Sequence, residues 1–139
     1  MTNPWGIYVD SQGNLYVADR GNNRVQLWNL GAANGITVAG DTNGVAGPFS
    51  YQLNSPTAIM FDQYGFLYVL DNGNSRIQKW LPGATFGITI LAATFSDPLG
   101  MELDPLGNLY VADTNYHRVQ AFSVYCGMFN ENTADKHSI

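Results

Sequence analysis

Apolar residues in this chain come in short dense runs, not at helical spacing. Leu15-Tyr16-Val17-Ala18, Leu67-Tyr68-Val69-Leu70 and Leu109-Tyr110-Val111-Ala112 are apolar at every position. A strand with one wet face alternates apolar with polar residues, whereas a continuous run marks a strand covered on both faces. No stretch carries a 3.6-residue period over about 11 residues, so no helix is predicted. In the first part of the chain, residues 6–10, 15–19, 24–28 and 36–39 read as successive antiparallel strands. Ser11 to Asn14 reads as a tight turn, with Gly13 where a positive φ costs least. Arg20 to Asn23, rich in Gly and Asn, reads as a loop between the second and third strands.

The pattern then repeats. Asn3–Trp28, Ser55–Trp80 and Asp97–Phe122 superimpose without gaps. Pro4, Asp10, Gly13, Leu15, Tyr16, Val17, Asp19, Arg24 and Gln26 recur unchanged in both later copies. The copies start at Pro4, Pro56 and Pro98, offsets of 52 and 42 residues, and the excess lies in a spacer at 30–54 dense in Gly, Asn, Asp and Ser. A further strand is predicted over 86–93. Four short strands recurring about every 40 residues have the size of a β-propeller blade, and blades stack face to face, which covers both sides of each sheet.

The motif Asn-Pro-x-Gly-Ile-x-Val-Asp-x-x-Gly-Asn-Leu-Tyr-Val-Ala-Asp-x-x-Asn-x-Arg-Val-Gln at residues 3–26 resembles the NHL repeat. The likeness extends through Thr37-Val38-Ala39-Gly40, Gly47 and Gln52 to Pro56, and covers about residues 3–124. The second unit departs from it at Thr57, Ala58 and Leu70, the third at Met101 and Glu102. The resemblance implies an all-β fold of three NHL-type blades of four antiparallel strands, at about 3–40, 55–93 and 97–129. That is half of the six-bladed ring usual in the family. A polar tail follows at 130–139. The resemblance also implies a protein-interaction scaffold. Its alternatives are the substrate-recognition part of a RING-type ubiquitin ligase system and a fragment of a propeller lyase or lactonase.

The residues sharpen this expectation. Asp19 and Arg24 flank the second hairpin loop, as do Asp71 and Arg76, and Asp113 and Arg118. An opposite-charge pair across strands pins a hairpin, and the same pair three times over suits structure better than a single catalytic centre. Asp10, Asp62 and Asp104 precede turns and are placed to accept backbone N–H groups. His117 sits in one loop and His137 in the tail, too few to form the multi-histidine zinc site of NHL-like amidating lyases. No nucleophile, phosphate-binding, calcium or cofactor motif is present. The expectation is therefore a chain that is not an enzyme and carries no metal or cofactor.

Net charge of −5 argues against nucleic acid. Six Lys and Arg, three of them in the hairpins, leave Arg20, Lys79 and Lys136, too few for a phosphate-binding face. Cys126, the one cysteine, cannot form an internal disulfide. With no apolar run long enough to span a bilayer and no leader-like N-terminus, a cytoplasmic location is favoured.

Alternating strand direction sorts the loops onto two sides. One side collects Arg20, Asn22, Asn23, Tyr51, Asn72, Asn74, Ser75, Asn115, Tyr116 and His117, together with the 41–54 insertion. The tight turns occupy the other. A protein or peptide partner is expected on the first side, where Asn and Tyr combine hydrogen bonding with rigid contact area. Three blades leave two uncovered end faces. The chain is therefore expected either to pair with a second copy, closing a six-bladed ring, or to continue into further repeats of a longer protein.

Overall fold

The computed structural model describes residues 1–125 together with 128–129; Cys126, Lys136, His137 and the whole tail at 130–139 lie outside the described residues. The first sheet orders β1 (Pro4–Val9), β2 (Leu15–Asp19), β3 (Arg24–Trp28) and β4 (Ile36–Gly40) side by side. The second does the same with β5 (Pro56–Phe61), β6 (Leu67–Asp71), β7 (Arg76–Trp80) and β8 (Ile88–Ala92). The third holds three strands, β9 (Pro98–Leu103), β10 (Leu109–Asp113) and β11 (Arg118–Phe122). Every pairing is antiparallel. After β11 the chain does not add a fourth strand to the third sheet among the described residues. Two short strands, β12 (Val124–Tyr125) and β13 (Met128–Phe129), pair with each other, and β13 passes beside β8 of the second blade. The architecture is all-β, three successive propeller blades.

Local chemistry explains the hairpins. At the first turn Asp10 Oδ1 accepts the N–H groups of Gln12 and Asn14, and Gly13 takes φ +82°. Asp62 with Gly65, and Asp104 with Gly107, repeat the turn. The second connection is tighter than the expected loop. It is a single 3-10 turn, Arg20–Asn22 in the first blade, closed by Asn23 in the left-handed region, with Ser75 and His117 in the same role later. A non-glycine residue at φ near +50° is strained and persists only where its surroundings hold it there.

Blades pack through two apolar layers. In the first, Ala18 and Val25 of blade one meet Ile59, Leu67 and Val69 of blade two. In the second, Leu70 and Ile77 of blade two meet Leu109 and Val111 of blade three. Each blade thus has a leading face toward its predecessor and a trailing face toward its successor. The ends show what stacking covers: Ile7 on the leading face of blade one is 66% exposed, while its counterpart Ile59 is 7%. On the trailing face, Tyr110 of blade three is 40% exposed and Tyr68 of blade two 6%.

Gly6 and Gly100 occupy one repeat position in opposite surroundings. A Cβ on Gly6 would stand 2.8 Å from the Thr57 carbonyl oxygen and 2.9 Å from Ala58 Cα, both backbone atoms of the next blade. A Cβ on Gly100 meets nothing nearer than Ala112 Cβ at 3.7 Å. Gly6→Ala should therefore lower stability by about 1–3 kcal/mol through overpacking. Gly100→Ala should be close to neutral. Urea unfolding of both variants checks the pair; equal losses would contradict this stacking.

Candidate functional site

The recurring aspartates come first, because they position the loops. Asp19, Asp71 and Asp113 are each 0% exposed. The hairpin register sets each directly opposite its arginine. The arginine Nε donates to Oδ2 at 3.3, 2.7 and 2.8 Å for Arg24, Arg76 and Arg118. The other oxygen accepts a backbone N–H from the segment leading into the same blade: Thr2 at 2.7 Å, Asn54 at 2.6 Å and Ser96 at 2.6 Å. A side-chain amide adds a further bond, from Asn22 in blade one and Asn74 in blade two. Blade three has Tyr116 at that position, and Gln120 Nε2 supplies the bond instead at 2.9 Å.

Once Nε is engaged, the rest of each guanidinium reaches outward. Arg76 donates to the carbonyls of Pro48 at 2.7 Å, Phe49 at 3.1 Å and Gln52 at 2.9 Å. Asn23 holds the Gly44 carbonyl and Asn74 the Gly47 carbonyl, both at 3.0 Å. With Arg24 on the Thr42 carbonyl and Gln78 on that of Ser50, side chains hold the insertion at seven carbonyls. It starts on the loop side but turns down along β7 and β8, where the Ser50 oxygen accepts the Gly87 N–H and Gln78 Nε2. Phe49 and Tyr51 project from this frame, stacked at 5.9 Å with planes 11° apart, 61% and 45% exposed.

Most asparagines expected to meet a partner have partners inside the molecule. Asn22 and Asn74 serve the buried aspartates, Asn23 also accepts the Ser55 N–H, and Asn72 donates to Asp97. Arg20 lies over the Trp5 ring at 4.6 Å. Asn115, Tyr116 and His117 are exposed, with the Arg118 guanidinium 4.8 Å from the Tyr116 ring. Sequence reasoning named Tyr51 and missed Phe49, two residues earlier in the same spacer. It also missed that Arg76 anchors the segment carrying both, at the carbonyls of Pro48, Phe49 and Gln52.

The carboxylates differ in charge preference. The Asn14 side chain, with backbone N–H groups, holds Asp10 below the usual carboxylate range, and Asn108 does the same for Asp104. Burial pushes Asp19 up, but bonds from Asn22, Thr2 and Arg24 outweigh it and the carboxyl ends low. At Asp71 the deeper burial wins over Asn74, Asn54 and Arg76, and the carboxyl is raised. Among the described residues no three His, Cys, Asp or Glu side chains converge as metal ligands would. No helix among them is long and apolar enough to cross a membrane.

The family profile of the NHL repeat matches residues 1–27 and 95–122. No curated protein shows a significant sequence match. Among solved structures the chain is similar to virginiamycin B lyase from Staphylococcus aureus, at 17% identity and TM-score 0.64, covering 88% of this chain and 38% of that one. It is similar to a streptogramin B lyase, at 15% identity and TM-score 0.69, covering 99% and 41%. It also resembles YCF48 from Cyanidioschyzon merolae, at 11% identity and TM-score 0.56, covering 97% and 45%. The chain thus spans about two fifths of the length of these proteins. Two of them are lyases, which corrects the expectation of a chain that is not an enzyme. A blade is a scaffold, and its repeated structural residues do not limit the chemistry its loops carry.

Two outcomes follow from the carboxylates. Arg76→Ala leaves a buried carboxylate without its cation and frees three loop carbonyls, so it should cost about 3–5 kcal/mol in urea unfolding. The more exposed Arg118→Ala should cost distinctly less. Asp10 and Asp104, lowered in the folded state, stabilise it fully above the unfolded value of 3.8, and that contribution is lost as pH falls through their folded values. The double variant Asp10→Asn/Asp104→Asn should therefore show a shallower fall in Tm on acidification than the parent.

Proposed function

Because the chain is an array of NHL-repeat propeller blades, we propose that it binds a protein or peptide partner through the 41–54 insertion, which runs from the loop side down along β7 and β8, with Phe49 and Tyr51 as the anchoring aromatics. The observation that carries this reading is the stacked, exposed pair on an insertion held by side chains at seven carbonyls. Interface energy concentrates in a few aromatic anchors, and a loop already held in its bound shape loses little entropy on docking. Tyr116 and His117 extend the surface onto the third blade. Further blades, from a second copy or from more repeats of the same protein, would cover the two open end faces.

The fold likeness to virginiamycin B lyase supports a second reading, in which these blades form part of a lyase-type propeller. A structure of that protein in a catalytically inactive form was solved with quinupristin. Depletion of quinupristin by the purified chain would favour this reading.

The first reading is tested with peptides selected from a random phage-displayed library against the folded chain, then measured by fluorescence polarisation. Phe49→Ala/Tyr51→Ala should weaken the selected peptides by at least about tenfold, the effect of losing one anchoring residue. Gln12→Ala/Gln63→Ala, on the opposite side, should leave them unchanged. Peptides that bind both variants equally would sink the assignment.

A further inference from the structure

The side opposite the loops carries grooves between neighbouring blades, and the two grooves invite comparison. In the groove between blades two and three, Lys79 lies with its ammonium 3.8 Å from Asp62 Oδ2. The same ammonium stands 4.0 Å from the Phe66 ring centre and 5.3 Å from that of Tyr68. The molecule thus holds a primary ammonium between a carboxylate and aromatic faces.

One repeat earlier, in the groove between blades one and two, Asp10 and Tyr16 stand at the positions of Asp62 and Tyr68, while Asn14 stands at that of Phe66. Leu27 stands where Lys79 would be. Phe61 adds aromatic surface, 4.6 Å from Tyr16 and 4.8 Å from Tyr8 between ring centres. The groove encloses about 470 Å³, within the range of small-ligand sites. Asn14 donates to Asp10 Oδ2 at 2.9 Å, which satisfies a lone pair without cancelling the charge. The hydrogen bonds at this turn keep the carboxyl ionised at neutral pH. Among the described residues Asp10 has no ion-pair partner; the aspartates that do are Asp19, Asp62, Asp71 and Asp113.

We infer that this groove binds a lysine side chain of a partner, its ammonium between Asp10 and the aromatic faces and its alkyl stem along Leu27 and Phe61. Cation–π attraction and an unneutralised carboxylate act together there, and an amphipathic stem covers the apolar wall. The site is separate from the loop side and does not rest on that surface.

The test titrates the isotope-labelled full chain, followed by amide NMR, with a capped Gly-Gly-Lys-Gly-Gly peptide. The same peptide acetylated on Nε and n-butylammonium are titrated in parallel. Shifts should map to residues 8–16, 61–65 and 80–83, and Nε-acetylation should abolish them. Asp10→Asn should weaken binding by at least about fivefold, the scale of one such contact. Leu27→Lys, which installs the internal ammonium of the second groove, should eliminate binding while leaving the spectrum of blade three unchanged. That variant keeps the test decisive if Asp10→Asn disturbs its turn. No shifts up to about 50 mM peptide would overturn the proposal. So would equal binding of the acetylated peptide, parent-like binding by Leu27→Lys, or tighter binding of n-butylammonium than of the peptide.

Discussion

Removing a carboxylate from water costs several kcal/mol unless its oxygens are fully bonded and its charge is met. This chain does so at Asp19, Asp71 and Asp113, and each time the compensation comes from three separate places. The arginine across the hairpin meets the charge, a side-chain amide from the turn or the neighbouring strand takes one lone pair, and a backbone N–H from the segment before the blade takes another. Satisfying one side chain thus brings the first strand, the hairpin and the preceding connection to a common point. The rest of the arginine then organises whatever lies beyond, which in blade two is the insertion.

Much of this was readable in the residues. β2 and β3 have the bounds that the repeated Leu15-to-Asp19 and Arg24-to-Trp28 segments predict. In a repeat, each copy constrains the reading of the others. β1 starts earlier than expected, at Pro4, because the chain pairs with Asp19 across a bulge that alternation alone does not reveal. The 3-10 turn at Arg20–Asn22 was hidden for a similar reason, since three residues are too few to show a helical period.

The site was less legible, for two physical causes. Asn22, Asn72 and Asn74 look the same in sequence whether their amides face water or a buried carboxylate, and turn composition does not separate the cases. The contacts of Arg76 with residues 48–52 cross an irregular spacer of a length found once in the chain, so they leave no periodic mark. The same spacer makes the second blade's surroundings unlike those of the first and third, although its strands are built alike. Fold and function therefore separate here: blades follow the repeat, and distinctive surfaces follow its interruptions.

The uneven covering of the faces bears on how the array comes apart. In stacked repeats, stability is nearly a sum of each unit's own term and the terms at its junctions. The middle blade has two junctions and the outer blades one each, with Ile7 and Tyr110 left open at the two ends. Val69, Leu70 and Ile77 sit at the centre of that arrangement, with no solvent contact. Where no further blade covers the two ends, opening should proceed from them toward β6 and β7, whose amides should exchange with solvent last. The blade that carries the anchored insertion is then the most persistent of the three, and what it displays should stay in place while its neighbours breathe.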